Sequence, residues 1–282
     1  MVRYTTLLLI LLCLCILSPD VFSQKRSQFN GKYIPPFGVL SFTGSLGVAY
    51  YYGDLNNKPS LKHLNLGPAI SLGALYRVTE HFSARGELRF YQVSGNQKYS
   101  KFPIDNLSFR SRNPDLNLGI QADLFAYNRH SKVNPYLFVG MSATYLNTKT
   151  KVNEDWVSLP PLTTEAVKYS RLPLSVSGGG GISFQASERL SLGVELNANF
   201  MLSDYLDDVS TVYPNPDLLP NDLARQLSDR SAEIGFDAKQ PGWHRGVGST
   251  NDIYTFFQFR ATYLIGTRMQ AIERKKTRCP KF

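Results

Sequence analysis

The chain has 282 residues, a length that a single all-β barrel commonly occupies. Its hydrophobic content of 43% and charged content of 19% do not exclude a membrane barrel, whose apolar residues are spread singly along the strands. The net charge of +9 is dispersed apart from clusters at the two termini. This distribution argues against nucleic-acid binding, because that activity requires a clustered basic face.

The first 23 residues have the pattern of a secretory signal peptide. Arg3 supplies the positive start, residues 7–17 form an apolar core, and a small-residue cleavage site follows. The apolar core is too short to span a bilayer as a helix. Because Cys13 and Cys15 lie inside this segment, the processed chain is expected to keep Cys279 as its single thiol. We therefore expect an exported protein without an internal disulfide.

Residues 24–40 are predicted to form an irregular periplasmic leader, and residues 41–266 a barrel domain. Within residues 190–200 every even position is apolar and every odd position is polar or glycine. A period of two predicts a strand with one apolar and one polar face. The pattern recurs along the domain, and the predicted strands are residues 42–53, 69–78, 82–93, 116–127, 135–146, 172–186, 190–200 and 253–265.

The connections between these eight strands alternate in length, from long to short, and end with the longest loop. This plan predicts an all-β fold, an eight-stranded antiparallel transmembrane outer-membrane β-barrel with short periplasmic turns and long extracellular loops. Both termini would then lie in the periplasm. The alternative is a soluble eight-stranded barrel of the lipocalin type. It is disfavoured because the charged face of its strands would have to contact solvent.

Three local features refine this plan. Residues 107–110 are expected to extend the fourth strand upward. The four consecutive glycines at 178–181 mark a sharp bend or a close backbone contact. Within the longest loop, residues 221–229 are predicted to form a short helix with Asn221 as its N-cap.

Six charged side chains in the middle of the strands are predicted to point into the barrel, three of each sign. They are Arg85, Arg89, Arg260, Glu87, Asp123 and Glu195, whereas Arg77 at a turn end is set aside. A balanced set can satisfy itself by paired hydrogen bonds, which buried charges require. We therefore predict a structural charge network in the lumen, with a proton or ion pathway as the alternative.

No catalytic constellation is evident, because the four histidines lie in separate turns and loops beside no obvious nucleophile. We therefore predict that the protein is not an enzyme and holds no cofactor. The side chains of Asp204, Asp207 and Asp208 have the chemistry of a Ca²⁺ site. No glycine-spaced ligand loop accompanies them, so the favoured interpretation is that they cap and solvate the start of the last loop.

Four segments carry a resemblance to a known family: residues 47–55, 107–110, 204–210 and 279–282. Together they resemble the PorG-like outer-membrane proteins of Bacteroidetes, which belong to the type IX secretion machinery. That machinery exports adhesins, proteases and gliding proteins. The most specific part of the likeness is the segment that contains Asp204, Tyr205, Asp207 and Asp208.

The resemblance implies a barrel without catalytic activity that contacts outer-membrane lipid. It further implies that this barrel anchors a periplasmic ring, made of a lipoprotein and its partner (PorK/PorN-like subunits), to the outer membrane. Residues 215–248 are an insertion that does not map onto the family pattern. That departure leaves open whether the loop binds an extracellular partner.

Residues 267–282 form a basic C-terminal tail, which is expected in the periplasm. A cationic tail suits an acidic patch on a partner or anionic lipid head groups. The candidate partner-binding residues are Cys279, Arg274, Lys275, Lys276, Arg278 and Lys281. An odd cysteine in an exported chain predicts pairing with another chain. We expect Cys279 to form a disulfide with the ring lipoprotein, and a free thiol is the alternative.

Two other functions are alternatives to the secretion anchor. One is a stand-alone structural barrel or narrow passive pore, which a chain without a periplasmic partner would favour. The other is an outer-membrane enzyme acting on lipid or peptide, which would need a group of catalytic side chains at the barrel rim.

Overall fold

Eight long antiparallel strands form a closed barrel. The computed structural model describes residues 28–29, 32–33, 38–56, 65–99, 103–126, 131–187, 189–246 and 251–267. The barrel strands are β1 (Val39–Tyr52), β2 (Gly67–Arg77), β3 (Phe82–Asn96), β4 (Ser108–Asp123), β5 (Val133–Thr144), β6 (Leu174–Gln185), β7 (Leu190–Met201) and β8 (Ile253–Thr267). Their order is β3-β2-β1-β8-β7-β6-β5-β4, and pairing of β4 with β3 closes the circle. The predicted fold class is confirmed.

The apolar face of every strand points outward, as the alternation predicts. Large apolar side chains from all eight strands are more than a third exposed, among them Leu46, Leu72, Phe90, Leu118, Leu137, Val176, Leu196 and Phe259. An apolar belt around the whole barrel is far larger than the patches on soluble monomers. It is the surface that a bilayer covers. The soluble alternative is therefore wrong, because the charged face of the strands is buried inside the barrel.

Strands β3 and β4 are longer than predicted. Their pairing continues from Phe82↔Ala122 up to Asn96↔Ser108, so residues 97–107 alone connect them. The predicted strand ends at residues 93 and 116 are wrong, although the expected extension through residues 107–110 is largely confirmed. The alternation of apolar and polar residues does not reveal these strand ends, because polar residues lie on both faces of the strands there.

The third long connection also contains strands, which its sequence did not predict. Residues Thr148–Val152 and Asp155–Ser158 form a hairpin, called here the loop hairpin. It joins the sheet through the pairs Arg110↔Lys149 and Ser111↔Thr148. The outer wall of β4 is thereby extended beyond the barrel. In the N-terminal leader, predicted to be irregular, Gln28–Phe29 pairs with Lys32–Tyr33.

The longest loop includes helix α1 (Asp222–Ser228), as predicted. The side chain of Asn221 accepts a hydrogen bond of 2.8 Å from the amide of Ala224, which confirms its role as the N-cap. Among the described residues, no helix has the length and apolar character needed to cross a membrane.

The long loops fold into a cap over one end of the barrel. We call residues 53–56, 97–99, 103–107, 145–173, 202–246 and 251–252 the loop cap. Its apolar side chains form one buried cluster with the ends of the strands, including Leu55, Leu107, Leu146, Leu159, Leu206, Val209 and Leu227. The loops therefore contribute to a core of their own at this end. The strand alternation could not predict it, because these residues are far apart in sequence and have no strand period.

The glycine run in β6 marks a close backbone contact. A Cβ atom on the inward-facing Gly179 would lie 2.1 Å from the carbonyl oxygen of Leu196 and 2.7 Å from the ring of Phe138. The nearest atom to such a Cβ on Gly178 is 3.8 Å away. Gly179 therefore has a steric requirement that its neighbour lacks.

We predict that Gly179→Ala destabilises the barrel, whereas Gly178→Ala leaves its stability unchanged. The added methyl group must displace backbone, and overpacking of this kind costs about 1–3 kcal/mol. The measurement is a urea titration in which the folded fraction is read from the mobility of unheated samples on denaturing gels. Equal midpoints for the two variants would contradict the steric explanation.

Candidate functional site

The centre of the barrel holds a four-residue ion network, called here the central network: Arg85, Glu87, Glu195 and Arg260. Period-two alternation places Arg85 and Glu87 on the inner face of β3, and β7 and β8 supply the other two residues across the lumen. All four residues are at most 5% exposed. Two positive and two negative charges give a neutral cluster in a region removed from water.

The geometry of the central network is that of reciprocal pairing. The guanidinium group of Arg85 donates to both carboxylate oxygens of Glu195, at 2.9 and 2.6 Å, and contacts Glu87 at 2.8 Å. Arg260 lies 2.7 Å from each of the same two carboxylates. The hydroxyl of Tyr136 adds a bond of 2.8 Å to Glu195. Each arginine therefore bridges both acids, which offsets the cost of removing the charges from water.

A second ion pair lies between the central network and the loop cap. Arg89 contacts Asp115 at 2.6 Å, and the Tyr254 hydroxyl donates to Asp115 at 3.0 Å. Asp115 is not among the predicted lumen charges, because the predicted fourth strand begins at residue 116. Its odd-numbered position in the alternation of β4 is the signal that could have identified it.

Asp123 lies apart from the other predicted lumen charges. It forms an ion pair with Arg77 near the short-turn end of the barrel. The prediction grouped Asp123 with the central charges and set Arg77 aside, and this grouping is wrong. The two residues neutralise each other's charge at the short-turn end of the barrel. A cavity of about 570 Å³ opens there between the short turns.

The aspartates at the start of the last loop are buried. Asp204, Asp207 and Asp208 are 7%, 1% and 1% exposed, so the interpretation that they are solvated is wrong. The loop folds back over the barrel and carries them into the loop cap. Neighbouring Tyr205 stacks on Tyr169, with ring centroids 4.5 Å apart. Among the described residues, no group of three or more potential ligands is arranged to hold a metal ion.

Asp207 and Asp252 meet around one tyrosine hydroxyl. The hydroxyl of Tyr51 lies within hydrogen-bonding distance of a carboxylate oxygen of each aspartate. A hydroxyl has one proton to donate, so the second contact requires a proton on a carboxyl group. Burial, together with the neighbouring acidic groups, raises the pKa of both aspartates well above its ordinary value. These contacts therefore join the loop cap to the end of β1 through the Tyr51 hydroxyl.

Asp208 belongs to a separate buried cluster. Its carboxylate accepts a hydrogen bond of 2.6 Å from Tyr169, and Arg245 donates to its backbone oxygen at 2.6 Å. Arg245 also pairs with Glu165 at 2.9 Å. Glu165 in turn accepts hydrogen bonds from the amides of residues 210 and 211. Sequence reasoning missed Glu165 and Arg245, since the contacts join segments about 80 residues apart.

Two of these acids make the stability of the loop cap depend on pH. Burial raises the pKa of Asp204 to about 7 and that of Asp208 to about 6. For Asp204 the neighbouring carboxylates of Asp54 and Glu165 contribute further. A carboxyl group with a raised pKa in the folded state stabilises that state at low pH. This contribution is lost as the pH rises from about 4 to about 7.

The predicted partner-binding residues of the tail lie outside the described residues, and so does the signal peptide. They are Arg274, Lys275, Lys276, Arg278, Cys279 and Lys281. Their expected roles therefore remain predictions.

Replacing Glu195 with Gln is predicted to lower the free energy of unfolding by about 3–5 kcal/mol, because it leaves two buried arginines facing one acid. The measurement is the same urea titration. The control is Arg225→Gln, which removes an ion pair whose side chains are 46% and 96% exposed, and whose contribution is about 0–1 kcal/mol. A Glu195→Gln variant as stable as this control would refute a structural role for the central network.

The loop cap is predicted to open more readily at pH 8 than at pH 5. Amide hydrogen exchange of residues 204–210, corrected for the intrinsic rate, should show protection reduced about tenfold or more at pH 8. Asp204→Asn should weaken this dependence, because an amide does not ionise. Amides of β8 serve as the internal control. Equal or greater protection of residues 204–210 at pH 8 would contradict the assigned burial of these acids.

Comparison with known proteins identifies the family. Residues 36–213 match the family model described as outer membrane protein beta-barrel domain. No curated protein matches the chain by sequence. Among solved structures, the chain is similar to Neisserial surface protein A, with 10% identity, a TM-score of 0.38, and coverage of 79% of this chain and 96% of that one.

Two further structures show comparable similarity. For Ail, the attachment invasion locus protein of Yersinia pestis, the identity is 11%, the TM-score 0.39, and coverage 81% and 99%. For a major outer membrane protein from Thermus thermophilus the values are 12%, 0.40, 80% and 99%. Such distant likenesses add nothing to the family match. The matched segment covers more than half of the chain, and the protein therefore belongs to the outer-membrane protein β-barrel domain family and is located in the outer membrane.

Proposed function

We propose that this protein is a closed, non-catalytic barrel that anchors a periplasmic assembly in the outer membrane, and that the assembly is the lipoprotein ring of a type IX secretion machinery. The observation that carries the first part is that paired side chains occupy the middle of the lumen, above the cavity at the short-turn end. The central network and the Arg89–Asp115 pair occupy two levels of the lumen, and the loop cap covers one end. A barrel packed in this way would act through its surfaces rather than as a pore.

The proposal that the protein is not an enzyme rests on how its polar groups are used. The best-placed titratable groups of the loop cap are engaged with one another. Asp207 and Asp252 share Tyr51, and Glu165 is held by Arg245 and two backbone amides. Carboxylates committed to such contacts position loops.

The anchoring surface is proposed to be the end of the barrel opposite the loop cap. β1 begins and β8 ends there, at Val39 and Thr267, so the leader and the basic tail both leave the barrel at this end. Strands joined by short turns at one end and long loops at the other are the plan of barrels whose short turns face the periplasm. A tail rich in lysine and arginine on that side would suit an acidic surface on a partner.

The identity of the partner rests on the family resemblance. The segments that resemble the PorG-like proteins, above all Asp204 to Ser210, support a place in type IX secretion. In this structure that segment is a buried element of the loop cap. We infer that it maintains the loop cap, whereas Cys279 and the tail cations contact PorK/PorN-like subunits.

The test is purification of tagged protein from gently solubilised outer membranes, with and without reductant. We predict co-purification of a lipoprotein ring with the wild-type protein. Cys279→Ser should abolish a reductant-sensitive linkage, and replacing Arg274, Lys275, Lys276, Arg278 and Lys281 with Gln should reduce recovery at least fivefold. The matched control replaces Lys151, Lys168 and Arg225 with Gln at the opposite end.

A barrel recovered alone under every condition would refute the anchoring proposal. It would favour the stand-alone structural barrel, whose balanced interior needs no partner. Recovery of the ring with equal yield from the tail variant would place the contact elsewhere on the barrel.

A further inference from the structure

Four cations lie together on the outer wall of the barrel, around the long-loop end of β4. We call Arg110, Arg112, Lys149 and Lys151 the basic rim. Arg110 and Arg112 occupy even positions of β4, which point outward, while the odd positions beside them are buried. The loop hairpin pairs with β4 through Arg110↔Lys149 and continues this outer face upward.

The charges of the basic rim are largely uncompensated. Arg112 donates to the neutral side chain of Gln92 at 2.8 Å. The guanidinium group of Arg110 lies 3.4 Å from the ring centre of Trp156. Lys151 pairs with the exposed Glu154. Within the described parts of the chain, the other three cations form no ion pair with a carboxylate. Like charges held together in this way favour an anion.

Among the described residues, strand positions at the long-loop end differ in charge around the barrel. At the long-loop ends of other strands the outward-facing large side chains are apolar, as at Tyr52, Tyr145, Leu174 and Phe200. On β3 and β4 the corresponding side chains are polar or basic.

An apolar groove runs directly below the basic rim. It has a volume of about 460 Å³ and crosses the outer surfaces of β1 to β4. Its lining includes the lipid-facing Leu46, Ile70 and Phe90, and Arg112 lies at its edge. The groove is continuous with the apolar belt, so a hydrocarbon chain in the membrane can enter it without crossing water.

We propose that the basic rim and the groove bind a phosphorylated glycolipid of the outer leaflet. A phosphate group would contact Arg110, Arg112 and Lys149, because guanidinium groups match phosphate oxygens bidentately. One acyl chain would occupy the groove. The inference rests on the orientation in the proposed function, in which the long loops face outward, but it does not depend on the periplasmic partner.

The experiment is native mass spectrometry of the full protein in detergent, titrated with bis-phosphorylated lipid A. Dephosphorylated lipid A and phosphatidylcholine are the comparison ligands. We expect one lipid A to be retained by the wild type, and affinity to fall at least tenfold in the variant Arg110→Gln/Arg112→Gln/Lys149→Gln. Lys168→Gln, an exposed cation elsewhere in the loop cap, should bind like the wild type.

A second variant tests the groove independently. Ile70→Trp fills it while keeping every cation, and we expect it also to weaken retention of lipid A. Equal affinity of the wild type and the triple variant, or equal retention of dephosphorylated lipid A, would overturn the proposal. If the wild-type protein does not bind lipid A but still co-purifies with the secretion ring, this inference alone is refuted. If it binds lipid A but does not co-purify with the ring, the proposed function alone is refuted.

Discussion

Reciprocal pairing of two arginines with two glutamates inside the barrel is the interaction on which the rest of this structure depends. An eight-stranded barrel has an interior that side chains must fill. Arg85 and Arg260 each bridge Glu87 and Glu195, so no charge is left alone in the low-dielectric lumen. Because these residues come from β3, β7 and β8, the network ties distant strands across the barrel.

Buried charges in the loop cap must also be neutralised, but this is achieved by different chemistry. The loop cap contains more acidic than basic residues. The raised pKa of Asp207 and Asp252 means that part of its negative charge is removed by protonation and not by ion pairing. Asp207 and Asp252 meet at Tyr51, whereas Glu165 has Arg245 as its partner. The central network thus holds its charges by ion pairing, while the loop cap holds some of its acids by protonation. The centre of the lumen and its capped end therefore differ in their response to pH.

Much of the barrel could be predicted from sequence, because strand alternation is a local property. Residues 190–200 alone show the inward and outward faces of β7. Asn221 predicts the start of α1 because N-capping is also local. The loop cap could not be predicted in this way. Asp204, Asp207 and Asp208 look like a solvated loop start, and only the return of that loop over the barrel buries them. The partners Glu165 and Arg245 have no local signature, since their contact is made by tertiary folding.

A barrel closed by paired side chains conducts no ions across a membrane. Single-channel recording of the purified wild-type protein in planar bilayers measures this property, with an open porin recorded in the same membrane for comparison. We expect a baseline current without resolved steps, since the central network and the Arg89–Asp115 pair occupy the middle of the lumen. Regular steps of constant conductance from the wild-type protein would show instead that the lumen is open.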